Sequence, residues 1–282
     1  MRANSPAAQF TDDRMGVMTP RRLAPFAGVL LLAGCSVIPA APDADIRLPP
    51  ANAGFDYQLG GGYELPVGVT VVARDSTDEP ADGAYNICYV NGFQTQPGEG
   101  ARWLAEDRDL VLRDASGDPF IDPGWPDEYL LDTSTAAKRE RIAAELHAVL
   151  VLCRASGFDA VEIDNLDSYS RSDGALSFDD NVALAASYAR LAHDLGLAIA
   201  QKNGAGASGQ LRDAVGFDFA VTEECARYDE CSDYVAAYGE LVFDIEYSVE
   251  HLEAACDAVG RAILRDVDLS TPRDPDYVFV RC

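Results

Sequence analysis

The chain has 282 residues and a formal net charge of −25, with 47 acidic against 22 basic side chains. So acidic a surface repels phosphate backbones and anionic headgroups, which excludes nucleic acid as a partner and points to cationic ligands or simple solubility. The length suits one large α/β domain behind an export segment, and no internal repeat is visible.

Arg21 and Arg22 precede an apolar run over 23–32, followed by Leu32-Ala33-Gly34-Cys35. This is the order of a secretory signal, and its ending resembles a bacterial lipobox, in which Cys35 becomes the lipid-modified first residue. The run is far shorter than the ~20 residues a membrane-spanning helix needs. Membrane contact is therefore expected through the N-terminal lipid only, on an extracytoplasmic monomer, with an ordinary secretory signal as the alternative. Met15 or Met18 would each start a compact signal. Removal of 1–34 leaves a net charge of −27. Residues 35–54, with Pro39, Pro42, Pro49 and Pro50, read as a tether. Residues 55–282 are then the folded domain.

Apolar runs follow at 69–73, 85–90, 110–112, 160–163, 197–200, 217–221, 241–245 and 262–264. Helix-sized segments separate most of them. Thr133-Ser134-Thr135 can cap a helix whose stripe is Ile142, Leu146, Val149 and Cys153. A second helix is predicted over 179–195, with Val182, Ala185, Leu191 and Ala192 inward and Gly196 at its end. The alternation predicts a single-domain α/β fold, a TIM-like (β/α)8 barrel. Residues 266–282 are too few and too rich in Pro and Asp for a last helix, so loop plus a short strand at 277–280 closes it irregularly.

Six cysteines remain after Cys35, an even number that in an exported chain reads as a disulfide framework with fifteen possible connectivities. Cys225 and Cys231 are near enough to close a short loop, Cys256 and Cys282 would tie down the C-terminus, and Cys88 and Cys153 remain. No CxxC or neighbouring histidine supports zinc.

Every run ends in polar or charged residues: Arg74-Asp75, Asn91, Arg113-Asp114, Asp164-Asn165, Lys202-Asn203, Glu223-Glu224, Glu246-Tyr247 and Arg265-Asp266. In a parallel barrel these ends form the active site. Glu162 and Asp164 share one strand face. Two carboxylates on different strands suit glycoside hydrolysis, one attacking or stabilising the sugar cation and one protonating the leaving oxygen. Asp164 and Glu223 are the chosen pair. The three histidines, His147, His193 and His251, fall in predicted helices, no GxSxG elbow is present, and the acids at 164–167 do not match an EF-hand. Neither metal nor cofactor is expected.

Several motifs together resemble glycoside hydrolase family 114: Val161-Glu162-Ile163-Asp164-Asn165-Leu166-Asp167-Ser168-Tyr169, Ala200-Gln201-Lys202-Asn203, the stretch 217–231, and Phe243-Asp244-Ile245-Glu246-Tyr247. Asp56-Tyr57-Gln58-Leu59, Ile87-Cys88-Tyr89 with Glu99, and Trp125-Pro126-Asp127-Glu128 before Leu131-Asp132 extend the resemblance over about 55–282. It implies a TIM-like barrel that hydrolyses α-1,4-linked galactosamine-rich polysaccharide, with Asp164 and Glu223 as the essential acids and Glu224 the rival for the second. A cationic amino-sugar polymer suits the charge. Asp75, Asp132, Glu162, Asp167 and Glu246 are candidate ionic or hydrogen-bonding contacts, Asn165, Asn203 and Glu224 further ones, and Tyr89, Tyr169, Tyr228 and Tyr247 candidate stacking surfaces. Lys202 is expected to hold Asp164 ionised. Alternative readings are an α-galactosidase-like specificity or a sugar-binding lipoprotein without turnover.

Overall fold

The computed structural model describes residues 46–50 and 52–282. Cys35, the export segment and most of the expected tether lie outside them. Strands β1 (Gly54–Gln58), β2 (Val69–Asp75), β3 (Tyr85–Asn91), β4 (Ala160–Asp164), β5 (Ala198–Lys202), β6 (Phe219–Glu223), β7 (Val242–Glu246) and β8 (Ala262–Arg265) pair in parallel in chain order. Strand β9 (Phe279–Arg281) then runs antiparallel to β8. This is the nearly closed barrel expected, with its irregular closing element.

Two expectations are corrected. Residues 110–112 form no barrel strand: a 3-10 turn ends at Leu110, and Val111 makes one antiparallel bridge with Leu131, inside a long excursion that follows β3. The missing strand is β1, which holds the Asp56-Tyr57-Gln58 motif and precedes the first apolar run read from the sequence.

Alternation sorts the strands cleanly. Phe55 and Tyr57, Val71 and Ala73, Tyr85 and Ile87, Ala198 and Ala200, Phe219 and Val221, and Phe243 and Ile245 fill the interior. The opposite faces of β3–β8 pack against α2 (Ala136–Ser156), α3 (Phe178–Asp194), α4 (Ser208–Val215), α5 (Cys231–Tyr238) and α6 (Val249–Val259). A short helix, α1 (Gly100–Glu106), opens the β3–α2 excursion. Thr135 caps α2 by accepting from the Lys138 amide, and Ser177 with Asp180 forms a full capping box on α3.

Loops alone join β1 to β2 and β2 to β3. The outer faces there are correspondingly polar: Arg74 donates to Gln58, Gln58 to Asp56, and Asn86 exchanges hydrogen bonds with Ala81. Where β1 meets β8 side chains make the joint. Arg265, fully buried, pairs with buried Asp56 at 3.3 Å and donates to the Tyr57 carbonyl.

The disulfides are Cys88–Cys153, Cys225–Cys231 and Cys256–Cys282, the pairing expected from sequence. They belong to a protein of an oxidising, extracytoplasmic compartment. The end of the expected tether is already bound: Arg47 pairs with Asp159 at 2.9 Å, and the Tyr85 hydroxyl donates to the Arg47 carbonyl. Asp159 precedes β4 and Tyr85 begins β3, so the chain enters at the N-terminal end of the barrel.

Candidate active site

Three neighbouring strands end alike. Asp164, Lys202 and Glu223 are each the last residue of a strand, and each is followed by a residue with positive φ: Asn165 at 67°, Asn203 at 51° and Glu224 at 57°. This left-handed conformation suits asparagine and costs a glutamate about 1–2 kcal/mol. The turn takes the chain off the strand immediately, leaving the three functional heads at the lip. It also separates the two glutamates. Glu223 keeps the interior face, whereas Glu224 swings away and pairs with Arg227 at 2.5 Å.

Lys202 stands at the centre. Its buried ammonium lies 3.1 Å from Oε2 of Glu223, 3.3 Å from Oδ2 of Asp164 and 3.5 Å from Oε1 of Glu162. It also donates to the Tyr57 hydroxyl at 3.2 Å. Two carboxylate oxygens touching one nitrogen at 3.1 and 3.3 Å can be no more than 6.4 Å apart. Asp164 is further fixed by the Tyr89 hydroxyl at 2.6 Å and the Asn165 amide at 2.6 Å. Glu223 accepts from the Tyr247 hydroxyl at 2.5 Å and from Asn203 Nδ2 at 3.0 Å. Both acids keep part of their side chains open to solvent, 18% for Asp164 and 28% for Glu223.

The charges are set by competition between burial and pairing. Burial works against the Lys202 ammonium, but Asp164, Glu223 and Glu162 outweigh it and hold its pKa well above the ordinary value. Burial pushes Glu223 up, yet Lys202, Tyr247 and Asn203 bring it below the ordinary carboxylate range. Glu162 has no solvent contact, and burial dominates there, raising it to about 7.

The remaining expected residues divide. Tyr89, Lys202, Asn203 and Tyr247 converge on the two acids. Tyr228 and Glu224 line the groove beside Glu223. Asn165 donates to Asn91 and accepts from Arg171, so it braces the strand end. Two expected substrate contacts, Glu162 and Glu246, are corrected by their burial, and four more have partners within the protein. Glu162 lies fully buried, hydrogen-bonded to Tyr57 at 2.6 Å, out of reach of a ligand. Glu246 sits on the helix side of β7, also fully buried, and accepts from the Ala226 amide. Tyr169 packs edge-on against Phe178 at 5.5 Å and beside a small apolar cluster. Asp132 is taken by Lys138 and Ser134 at the start of α2. Asp75 accepts from Thr77 in its own turn, and Asp167 is exposed and pairs with Arg171.

Sequence reasoning missed Tyr57, which joins Glu162 to Lys202. Its signal was present: Phe55 and Tyr57 alternate as a barrel strand does. It also missed the brace formed by buried Glu128, which accepts from Asn91 and Gln94 while Asn91 holds Asn165. Among the described residues, Cys225, Asp244 and Glu246 bring possible ligand atoms within 4.8 Å of one another. Cys225 is in a disulfide, and two carboxylates are too few oxygens for a hard cation, so the cluster is no metal centre.

The model of glycoside-hydrolase family GH114 matches residues 37–282. The chain belongs to this family. A GH114 protein is a glycosidase, and glycosidases ordinarily work with a pair of carboxylates. Among solved structures, this GH114 chain is similar to Aspergillus fumigatus Ega3, crystallised with galactosamine, at a TM-score of 0.65 and 23% identity over 84% of this chain and 98% of that one. The glycoside hydrolase domain of PelA from Pseudomonas aeruginosa superposes at a TM-score of 0.51 and 15% identity over 81% of this chain and 97% of that one. At these identities the likeness speaks for the fold. No curated protein matches the sequence.

Proposed function

We propose that this glycosidase cleaves α-linked galactosamine-containing polysaccharide with retention of configuration, using Asp164 as nucleophile and Glu223 as general acid and base. The observation that carries the pairing is the shared ammonium of Lys202, which keeps one oxygen of each acid within 6.4 Å of the other. Carboxyls about 5–5.5 Å apart go with retention and roughly 6.5–9.5 Å with inversion, so the anomer released first decides between them. Glu223 gives its proton to the glycosidic oxygen as the C–O bond breaks, and Asp164 bonds to the anomeric carbon. Water then attacks that carbon, gives a proton to Glu223 and releases Asp164. The acidic surface, the galactosamine bound in Ega3 and the family membership support an amino-sugar polymer as substrate.

Attachment outside the cell through lipid on Cys35 belongs to the same proposal, and mass spectrometry of the mature N-terminus tests it. For the activity, α-1,4-galactosamine polymers, free and acetylated, are incubated with the protein. Products are sized by mass spectrometry, and the first anomer is read by proton NMR. Oligosaccharides released first as α-anomers are expected. Intact polymer would end the substrate reading, and β-anomers the retaining one.

A further inference from the structure

An open groove of about 740 Å³ is lined by Glu223, Asn203 and Tyr247 together with two exposed aromatic residues. Trp125 is 56% exposed and Tyr228 57%, each far more than such rings ordinarily show. They come from separate loops, and both loops are pinned.

The Trp125 loop is a hydrogen-bonded turn. Its amide donates to the Asp122 carbonyl and its carbonyl accepts from the Glu128 amide, while buried Asp122 takes the Gly124 amide and the Arg171 guanidinium. Arg171 and Glu128 both continue to the strand end: Arg171 donates to Asn165, and Glu128 accepts from Asn91, which in turn accepts from Asn165. The exposed indole is thus braced against the residue next to Asp164. On the other bank, the loop after Glu223 is closed by Cys225–Cys231 and held from below, where Asp244 and Glu246 accept the amides of Cys225 and Ala226. Arg227 lies 5.2 Å from the Tyr228 ring centre and is itself paired with Glu224. The wall thus combines rigid aromatic faces with the carboxylates of Glu224 and Glu230.

We propose that this groove binds the leaving-group side of an amino-sugar chain, with Trp125 and Tyr228 as stacking platforms and Glu230 as a partner for the sugar ammonium. The proposal rests on Glu223 being the general acid, since the sugar that takes its proton must lie beside it. Glu223 lines the groove and Asp164 does not, as the side taken by the departing sugar requires. A hexosamine ring presents a C–H face to an aromatic ring and an ammonium to a carboxylate or a ring face, matching the two kinds of group present.

The test uses the Glu223→Gln protein, which is expected to bind without turnover, titrated with galactosamine and with α-1,4-galactosamine hexasaccharide. The chain has two tryptophans, and Trp103 is buried, so a change in indole emission reports on Trp125. The hexasaccharide is expected to alter that emission and to bind more tightly than the monosaccharide. By calorimetry, Trp125→Ala and Tyr228→Ala should each remove roughly tenfold of that advantage, the scale of one lost aromatic contact. Hexasaccharide affinity unchanged in both variants, or indole emission unmoved at saturation, overturns the proposal. Should one variant fail to fold, the other decides. Failure of the wild-type protein to cleave the polymer is a separate result, and it strikes the functional reading.

Discussion

Lys202 faces Glu223 at 3.1 Å and Asp164 at 3.3 Å, so the group that orients the proposed catalytic pair also disfavours the proton on its proposed acid. Cleavage needs Glu223 protonated, whereas Lys202, Tyr247 and Asn203 hold it below the ordinary carboxylate range against the push of burial. The protonated fraction grows as pH falls, so kcat/KM is expected to rise from neutral into the acid range. Replacing the ammonium in Lys202→Met raises the Glu223 pKa and moves the falling limb to higher pH, at a lower maximum. A pH–rate profile of the two proteins checks this, and an unmoved limb contradicts it.

Asp164→Asn and Glu223→Gln should each lower kcat by about 10²–10⁴-fold, the range for a lost proton-transfer group and the least expected for a lost nucleophile. Glu224→Gln is a contrasting case. Its side chain leaves the lip to pair with Arg227, so its kcat should stay within about tenfold of wild type, far above the Glu223→Gln value. Single-turnover kinetics on one polymer preparation separate the two glutamates, and reversal of the order would transfer the role.

Stability should fall as pH rises. Burial raises Glu162 to about 7 in the folded protein, and Asp244, beside Glu246, is likewise raised to about 7, first by burial. A carboxyl whose folded pKa exceeds its unfolded one stabilises the fold fully below the unfolded value and loses that contribution as pH passes the folded one. The melting temperature is therefore expected to drop between about pH 4.5 and 7. Asp244→Asn should flatten the drop, as differential scanning calorimetry would show.

The three disulfides should separate stability from function. A loop closed over 65 residues of separation, Cys88–Cys153, stabilises by about 4 kcal/mol on chain-entropy grounds, against about 2 kcal/mol for the separation of 6 in Cys225–Cys231. The paired Cys→Ser variants should differ accordingly in denaturant midpoint. The shorter loop begins two residues after Glu223, so its removal should lower activity more than its stability loss suggests.

At the barrel joint, Asp56→Ala leaves buried Arg265 only the more distant and more exposed carboxylate of Asp266, at 3.8 Å, and about 3–5 kcal/mol of stability should be lost. Urea unfolding measures it. A loss below about 1 kcal/mol would show that Asp266 and the carbonyls around Arg265 suffice.

Much of the architecture was legible because strand alternation is a local signal. Asp164 and Glu223 end apolar runs, and the parity that puts Phe243 and Ile245 inward also puts Glu246 outward, a relation carried by residue order alone. The run at 110–112 misled because three apolar residues carry no information about their partner, here Leu131 in an antiparallel bridge. Tyr57 and Glu162 meet across 105 positions of sequence, and only the closed barrel brings them together. Depth was equally invisible: Glu162 and Asp164 share a face, yet one repeat of the pleat divides a fully buried carboxyl from one open to solvent.

The salt bridge of Arg47 with Asp159 fastens the incoming chain to the pole where the strands begin. The catalytic mouth opens at the opposite pole. Polymer therefore meets the groove on the face away from the Arg47–Asp159 clasp, which leaves that mouth unobstructed by the incoming residues at 46–50.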